Sequence, residues 1–167
     1  AFLKELHHLF PVMRICHSNH GSMHFRKAKA HGIPVQYLKT YREVLFPEGG
    51  AEQWEWAYEF RLPLPGGQEV LFKHEPHGSA ILDAAHNRAN LVTGHLHGKY
   101  FIEYAANSEE LYWALQGGCL LDRDSLAFAY GKESKLKPII GCSVIVDGLP
   151  ILVPMRLSKG GRWIGKL

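Results

Sequence analysis

Three short apolar runs in this chain each stop at a polar loop that carries histidine, and that recurrence restricts the fold more than any other feature. "VMRIC" (12–16) runs into "HSNHGS", "EVLFK" (69–73) into "HEPHG", and "NLVT" (90–93) into "GHLHG". Such runs have strand length, and turn-forming residues bound them. The segments between them read as helices. "AFLKELHHLF" places Phe2, Leu3, Leu6, Leu9 and Phe10 at helical spacing before Pro11. Two more helices are expected over 22–31, closed by Gly32 and Pro34, and over 35–45, with Val35, Leu38, Tyr41, Val44 and Leu45 as the apolar face. A short helix follows at 79–87. Strands alternating with helices predict the α/β class, in which loops at strand ends hold ligands.

The rest of the chain reads as extended. "WEWAYEFRL" (54–62) alternates aromatic with charged residues and turns through "PLPGGQ" into 69–74, which predicts a hairpin. "KYFIEYAA" and "ELYWALQ" read as further strands, and "IIGCSVIVDGLPILVPM" as two apolar strands joined at Asp147-Gly148. Runs as apolar as "VMRIC" and "NLVTG" are expected in the middle of a sheet, with unpaired edges left unless a partner or a second copy covers them.

Length and composition set the scale. A chain of 167 residues, 46% hydrophobic, suits a single domain over 1–167. The net charge of +3 is too mild for a dedicated nucleic-acid binder. Cys16, Cys119 and Cys142 are widely spaced, and two lie in apolar runs, which fits a reducing cytoplasm better than a disulfide framework. No stretch has the length and apolarity of a membrane span, so no membrane partner is expected.

With eleven histidines, about one His-x-His pair is expected by chance, so His95 and His97 gain meaning only from context. The context is the order of the three loops. Neutral imidazoles suit Zn, Mn, Fe or Ni, and an Asn oxygen adds a neutral donor, so Asn19, His74, His95 and His97 form a candidate metal constellation, with His20 beside Asn19 in the first loop.

"SNHG" (18–21), "KHEP" (73–76) and "GHLH" (94–97) resemble, in this order, the later motifs of the calcineurin-like metallophosphoesterases of phage and bacterial type: Gly-Asn-His-Asp/Glu, a lone His, and Gly-His-x-His. The last match is complete. In the first, Ser18 stands for the usual Gly and Gly21 for the usual acid. The resemblance extends through "GGCLLDRDSLAFAYGK" and the terminal hairpin. It implies a layered β-sandwich flanked by helices and a phosphoesterase with two divalent ions activating water against a phosphate ester, with nucleotide or nucleic acid among the candidate substrates. It further implies that Asn19, His74 and His95 ligate one ion, that His97 ligates the other, and that His20 acts on the leaving oxygen, with His77 as the alternative to His74. The family's earlier motifs, Asp-x-His and Gly-Asp, have no counterpart, because no Asp precedes Asp83. With Ala1 in place of an initiating Met, the expectation is that those motifs lie outside this chain, on a preceding segment or another polypeptide.

Each residue also has a plainer reading. Any single histidine of the three is a hydrogen-bonded structural residue, Asn19 a turn residue and His20 a loop residue. His7, His8, His24, His31 and His86 read as surface, and Asp122-Arg123-Asp124 as a helix start with a local ion pair. Two other functions compete: a non-catalytic module docking on a partner chain or nucleic acid through Arg26–Lys29 and Arg156–Lys166, and a protein binding a single zinc through histidines alone.

Overall fold

The computed structural model describes residues 2–121 and 137–165, so the Asp122-Arg123-Asp124 reading lies outside the described residues. Chain contacts divide the protein into two compact units, Ala1–Phe60 and Arg61–Leu167.

The first unit is a βαβ crossover preceded by a helix. Helix α1 (Phe2–Leu9) ends before Pro11, which cannot continue it, and turns Leu3 and Leu6 onto a core of Phe46, Ala51 and Trp54. Strand β1 (Met13–Cys16) leads through α2 (Met23–Ala30), a 3-10 turn (Val35–Tyr37) and α3 (Tyr41–Leu45) to β2 (Trp54–Ala57). The two strands pair in parallel, Ile15 opposite Trp56, as a helical crossover demands. Among the described residues β2 is the only partner of β1, so "VMRIC" lies in a two-stranded sheet and is half-buried, not central.

Two further sequence expectations fail here. The helix expected over 35–45 is broken, because Thr40 is extended and its hydroxyl accepts from the Glu43 N–H while the Glu43 carboxylate accepts from the Thr40 N–H. That reciprocal capping box starts a new helix at Tyr41. Val35 and Val44 are exposed, not an apolar face. The strand expected over 54–62 is likewise divided at Tyr58: β2 stays with β1, while β3 (Glu59–Pro63) joins β4 in another sheet. The hairpin is therefore formed by β3 and β4 alone.

The second unit is a mixed five-stranded sheet in the order β3-β4-β5-β7-β6, with β4 (Glu69–Lys73), β5 (Asn90–Thr93), β6 (Phe101–Ala106) and β7 (Leu111–Gln116). Alternation of side chains sorts its residues into two faces. Leu71, Leu91 and Ala114 lie in one register row and pack under helix α4 (Ala80–Asn87), whose Ala80 and Ala84, four apart, let it lie close. Phe72, Val92 and Leu115 form the next row, and with Val70 and Trp113 they face the hairpin of β8 (Gly141–Val146) and β9 (Leu149–Pro154) through Ile145 and Leu152. Helix, sheet and hairpin thus make three layers, and "NLVT" is central as expected. Asp147 and Gly148 both take left-handed backbone (φ 51° and 81°), which matches the strand twist in a two-residue turn.

The protein is therefore mixed α/β. Among the described residues no helix is long and apolar enough to cross a membrane.

Candidate metal centre

His74 follows β4 directly, and His95 lies two residues beyond β5. Because the two strands are parallel neighbours, their carboxyl ends open on the same edge of the sheet. The Gly94 N–H donates to the His74 carbonyl at 3.0 Å, joining the two loops. The side chains then meet, with His74 Nε2 and His95 Nδ1 3.2 Å apart and the rings edge to face. This is the spacing of a hydrogen bond between the rings, and two nitrogens bound at 2.0–2.1 Å to one tetrahedral ion would stand at a similar separation, about 3.3 Å. The opposite nitrogen of His95, Nε2, lies 3.4 Å from Glu75 Oε1. A carboxylate behind the far nitrogen favours the proton there and leaves Nδ1 as the donor atom, the usual outer arrangement of metal-binding histidines.

The end of β5 is held by buried polar groups. Gln116, 1% exposed, accepts from the Thr93 hydroxyl and donates from Nε2 to the Gly94 carbonyl at 2.6 Å. Asn90, equally buried, supplies through Oδ1 the acceptor for the Trp113 N–H. These bonds satisfy amides that would otherwise be stranded in the core, and they fix the backbone from which His95 departs.

The loop after β4 is held by a buried ion pair. Lys73, the last residue of β4, meets Asp83 on α4, and both side chains are at most 10% exposed. Asp83 also accepts from the His77 N–H and from Asn87 Nδ2. Burial pushes its carboxyl upward, but the Lys73 ammonium and the His77 N–H overcome this and hold it below the ordinary carboxylate value. His77 is thus anchored by its backbone while its side chain is exposed, whereas His74 faces His95.

Gly94 does not supply the conformational freedom: its φ is not positive, and a Cβ there would meet nothing nearer than the His74 carbonyl at 3.7 Å. The left-handed residue is His95 itself (φ 66°), a conformation costing a residue with a Cβ about 1–2 kcal/mol. His97 follows in the same turn, where its N–H donates to the His95 carbonyl and its carbonyl accepts from Ile139.

Asn19 and His20 belong to the first unit, in the turn between β1 and α2. Asn19 Oδ1 accepts from the His20 N–H, and its carbonyl accepts from Arg26. Ser18 organises the turn, its hydroxyl accepting from Gly21 N–H at 2.8 Å. A Cβ on Gly21 would stand 3.0 Å from that hydroxyl oxygen and 2.9 Å from Tyr41 Oη. The two departures from the family motif, Ser18 and Gly21, are therefore matched to each other. His20 is exposed.

Sequence reasoning passes over three residues and misplaces a fourth. Glu75 and Gln116 shape the His95 site; Glu75 adjoins His74 in "KHEP", while Gln116 carries no local signal. His17 follows β1 as directly as His74 follows β4, and it stacks on Tyr41 at 5.0 Å. Its Nδ1 is buried with no hydrogen-bond partner among the described residues, and burial lowers its pKa. His7, expected at the surface, is half-buried and edge-on to Phe46 and Trp54.

Among the described residues, no group of three or more His, Cys, Asp or Glu is close enough together to hold a metal on its own. The chain was compared with family models, curated proteins and solved structures, and none of the three gave a match.

Proposed function

We propose that this chain carries the histidine part of a metal-dependent phosphoesterase centre. The observation that supports it best is the 3.2 Å approach of His74 Nε2 to His95 Nδ1 at the ends of parallel neighbouring strands, with Glu75 behind the second ring. In this reading His74 and His95 hold one divalent ion and His97 serves a second, while the roles of Asn19 as a further ligand and of His20 as proton donor to the departing oxygen are what the motif resemblance implies. The ions would be Mn, Zn, Fe or Ni, and bound there they would supply Lewis-acid chemistry toward a phosphate ester. The substrate is a phosphate ester. The protein's own contribution is to keep His95 in the correct tautomer and to hold both loops rigid through Gln116 and the Lys73–Asp83 pair.

A second reading, a single-ion or non-catalytic module, draws on one observation. Two adjacent dications need an anionic bridge, yet the first Asp in the chain is Asp83, whose carboxylate is already engaged by Lys73. Equilibrium dialysis of the full chain against Mn or Zn, together with hydrolysis of bis-p-nitrophenyl phosphate, separates the two. Bound metal that is lost in His74→Ala and in His95→Ala is the shared expectation. This chain alone should hydrolyse the ester near background; joined to a segment that carries the Asp-x-His and Gly-Asp motifs it should turn over, and a fall of roughly 10² to 10⁴ there in His20→Ala at unchanged metal content supports catalysis. Unchanged metal binding in both histidine variants would defeat either reading.

A further inference from the structure

The first unit contains a cavity of about 510 Å³, within the range of small-molecule sites. Its wall is aromatic, formed by Phe25, Tyr41, Trp54, Trp56 and Tyr58, with Arg42 also lining it. Tyr58 is 64% exposed yet held edge-on against His17 at 4.8 Å, so its ring stands fixed beside open solvent. Rings presented in this way offer π-faces to a flat ligand.

Charge selects among flat ligands. No Asp or Glu lines the cavity, and an aromatic cage built for a cation ordinarily lacks an opposing guanidinium. The segment that supplies much of the wall reinforces this: between Glu5 and Glu43 the sequence has no acidic residue, while Arg14, Arg26, Lys27, Lys29, Lys39 and Arg42 all fall there. Arg14 pairs with Glu55 and Arg26 with the Asn19 carbonyl. Arg42 is the cation that reaches the cavity.

We propose that this cavity binds a nucleotide, its base stacked on the aromatic wall and its phosphate on the Arg42 guanidinium. Every base has a π-face, so stacking tolerates any of them, and the fork of Arg42 matches phosphate oxygens. The residues invoked, Arg42 and the aromatic wall, are not among the candidate metal ligands, and binding of this kind needs no metal. A free nucleotide and one residue of a single strand share this chemistry.

The test is titration of the full chain, in EDTA, with deoxyadenosine 5′-monophosphate and with a short oligodeoxyadenylate, followed by the fluorescence of Trp54 and Trp56. Inorganic phosphate and tetramethylammonium serve as probes of the phosphate and the cage separately. Saturable quenching by the mononucleotide, weakened about 5- to 100-fold by Tyr58→Ala and about 10-fold or more by Arg42→Gln, supports the site with free nucleotide as its source. The same losses seen only with the oligonucleotide support it with a single strand as the source. Both substituted residues are exposed, and far-UV circular dichroism checks that the variants fold. Absence of binding, phosphate binding as tightly as the nucleotide, saturable quenching by tetramethylammonium, or affinity unchanged in both variants would each overturn the proposal.

Discussion

The two units support their candidate loops in opposite ways. In the second, a five-stranded sheet is covered on one face by α4 and on the other by the β8–β9 hairpin, and Leu71, Leu91, Ala114 and Leu115 are at most 1% exposed. In the first, two parallel strands lean on a small aromatic cluster, and no residue of β1 is fully buried. His74 and His95 therefore project from a closed core, whereas Asn19 and His20 sit in a turn held by Ser18 and Arg26. Rigidity of a binding loop is borrowed from the sheet beneath it, and here the loan is unequal.

The largest test removes the charge that closes the second unit. Asp83→Ala leaves the Lys73 ammonium buried without a partner, and denaturant unfolding should show a loss of about 3–5 kcal/mol. Restoring an apolar pair with Lys73→Met and Asp83→Leu together should recover most of it. The same carboxylate carries a pH signature. Its folded pKa lies below the ordinary 3.8, so its stabilisation is complete above that value and fades as pH falls through the folded pKa. Asp83→Asn should flatten that acid limb.

Cavities in the two cores sharpen the contrast. Leu91→Ala, in the central strand, should cost about 2–5 kcal/mol, and Ile15→Ala in β1 distinctly less, because a half-buried side chain leaves a smaller void. Equal losses would mean that the first unit is as tightly closed as the second. At the site itself, Glu75→Gln should weaken Zn affinity about 10- to 100-fold by releasing the tautomer of His95, measured by competition with a chelating dye. The smallest effect belongs to the first unit: Thr40→Ala should cost about 1 kcal/mol and speed amide exchange in α3 only.

Much of this was legible in the residues. The α/β class, α1, α4, the central place of "NLVT" and the Asp147-Gly148 turn follow from spacing and turn chemistry. So does the pairing of His74 with His95, because each lies at or just beyond the end of an apolar run. The 35–45 segment was misread although its signal was present: "TYRE" is a Ser/Thr-x-x-Glu capping box, and it outweighs an apolar periodicity that includes exposed Val35 and Val44. The break at Tyr58 had no such mark, since which sheet a strand joins is decided by partners distant in sequence. Gln116 is hidden for the same reason, its amide reaching Gly94 at the end of the neighbouring strand, 22 residues away in sequence.

The left-handed backbone at His95 bears on how this chain would respond to selection. Glycine or asparagine tolerates that conformation better than histidine does, so replacing His95 is among the easier routes to a more heat-resistant protein. A library screened for thermal tolerance alone would enrich such replacements, and one screened for metal retention would reject them. The frequency of histidine at this position under the two regimes measures how far the residue is kept for its imidazole and not for the fold.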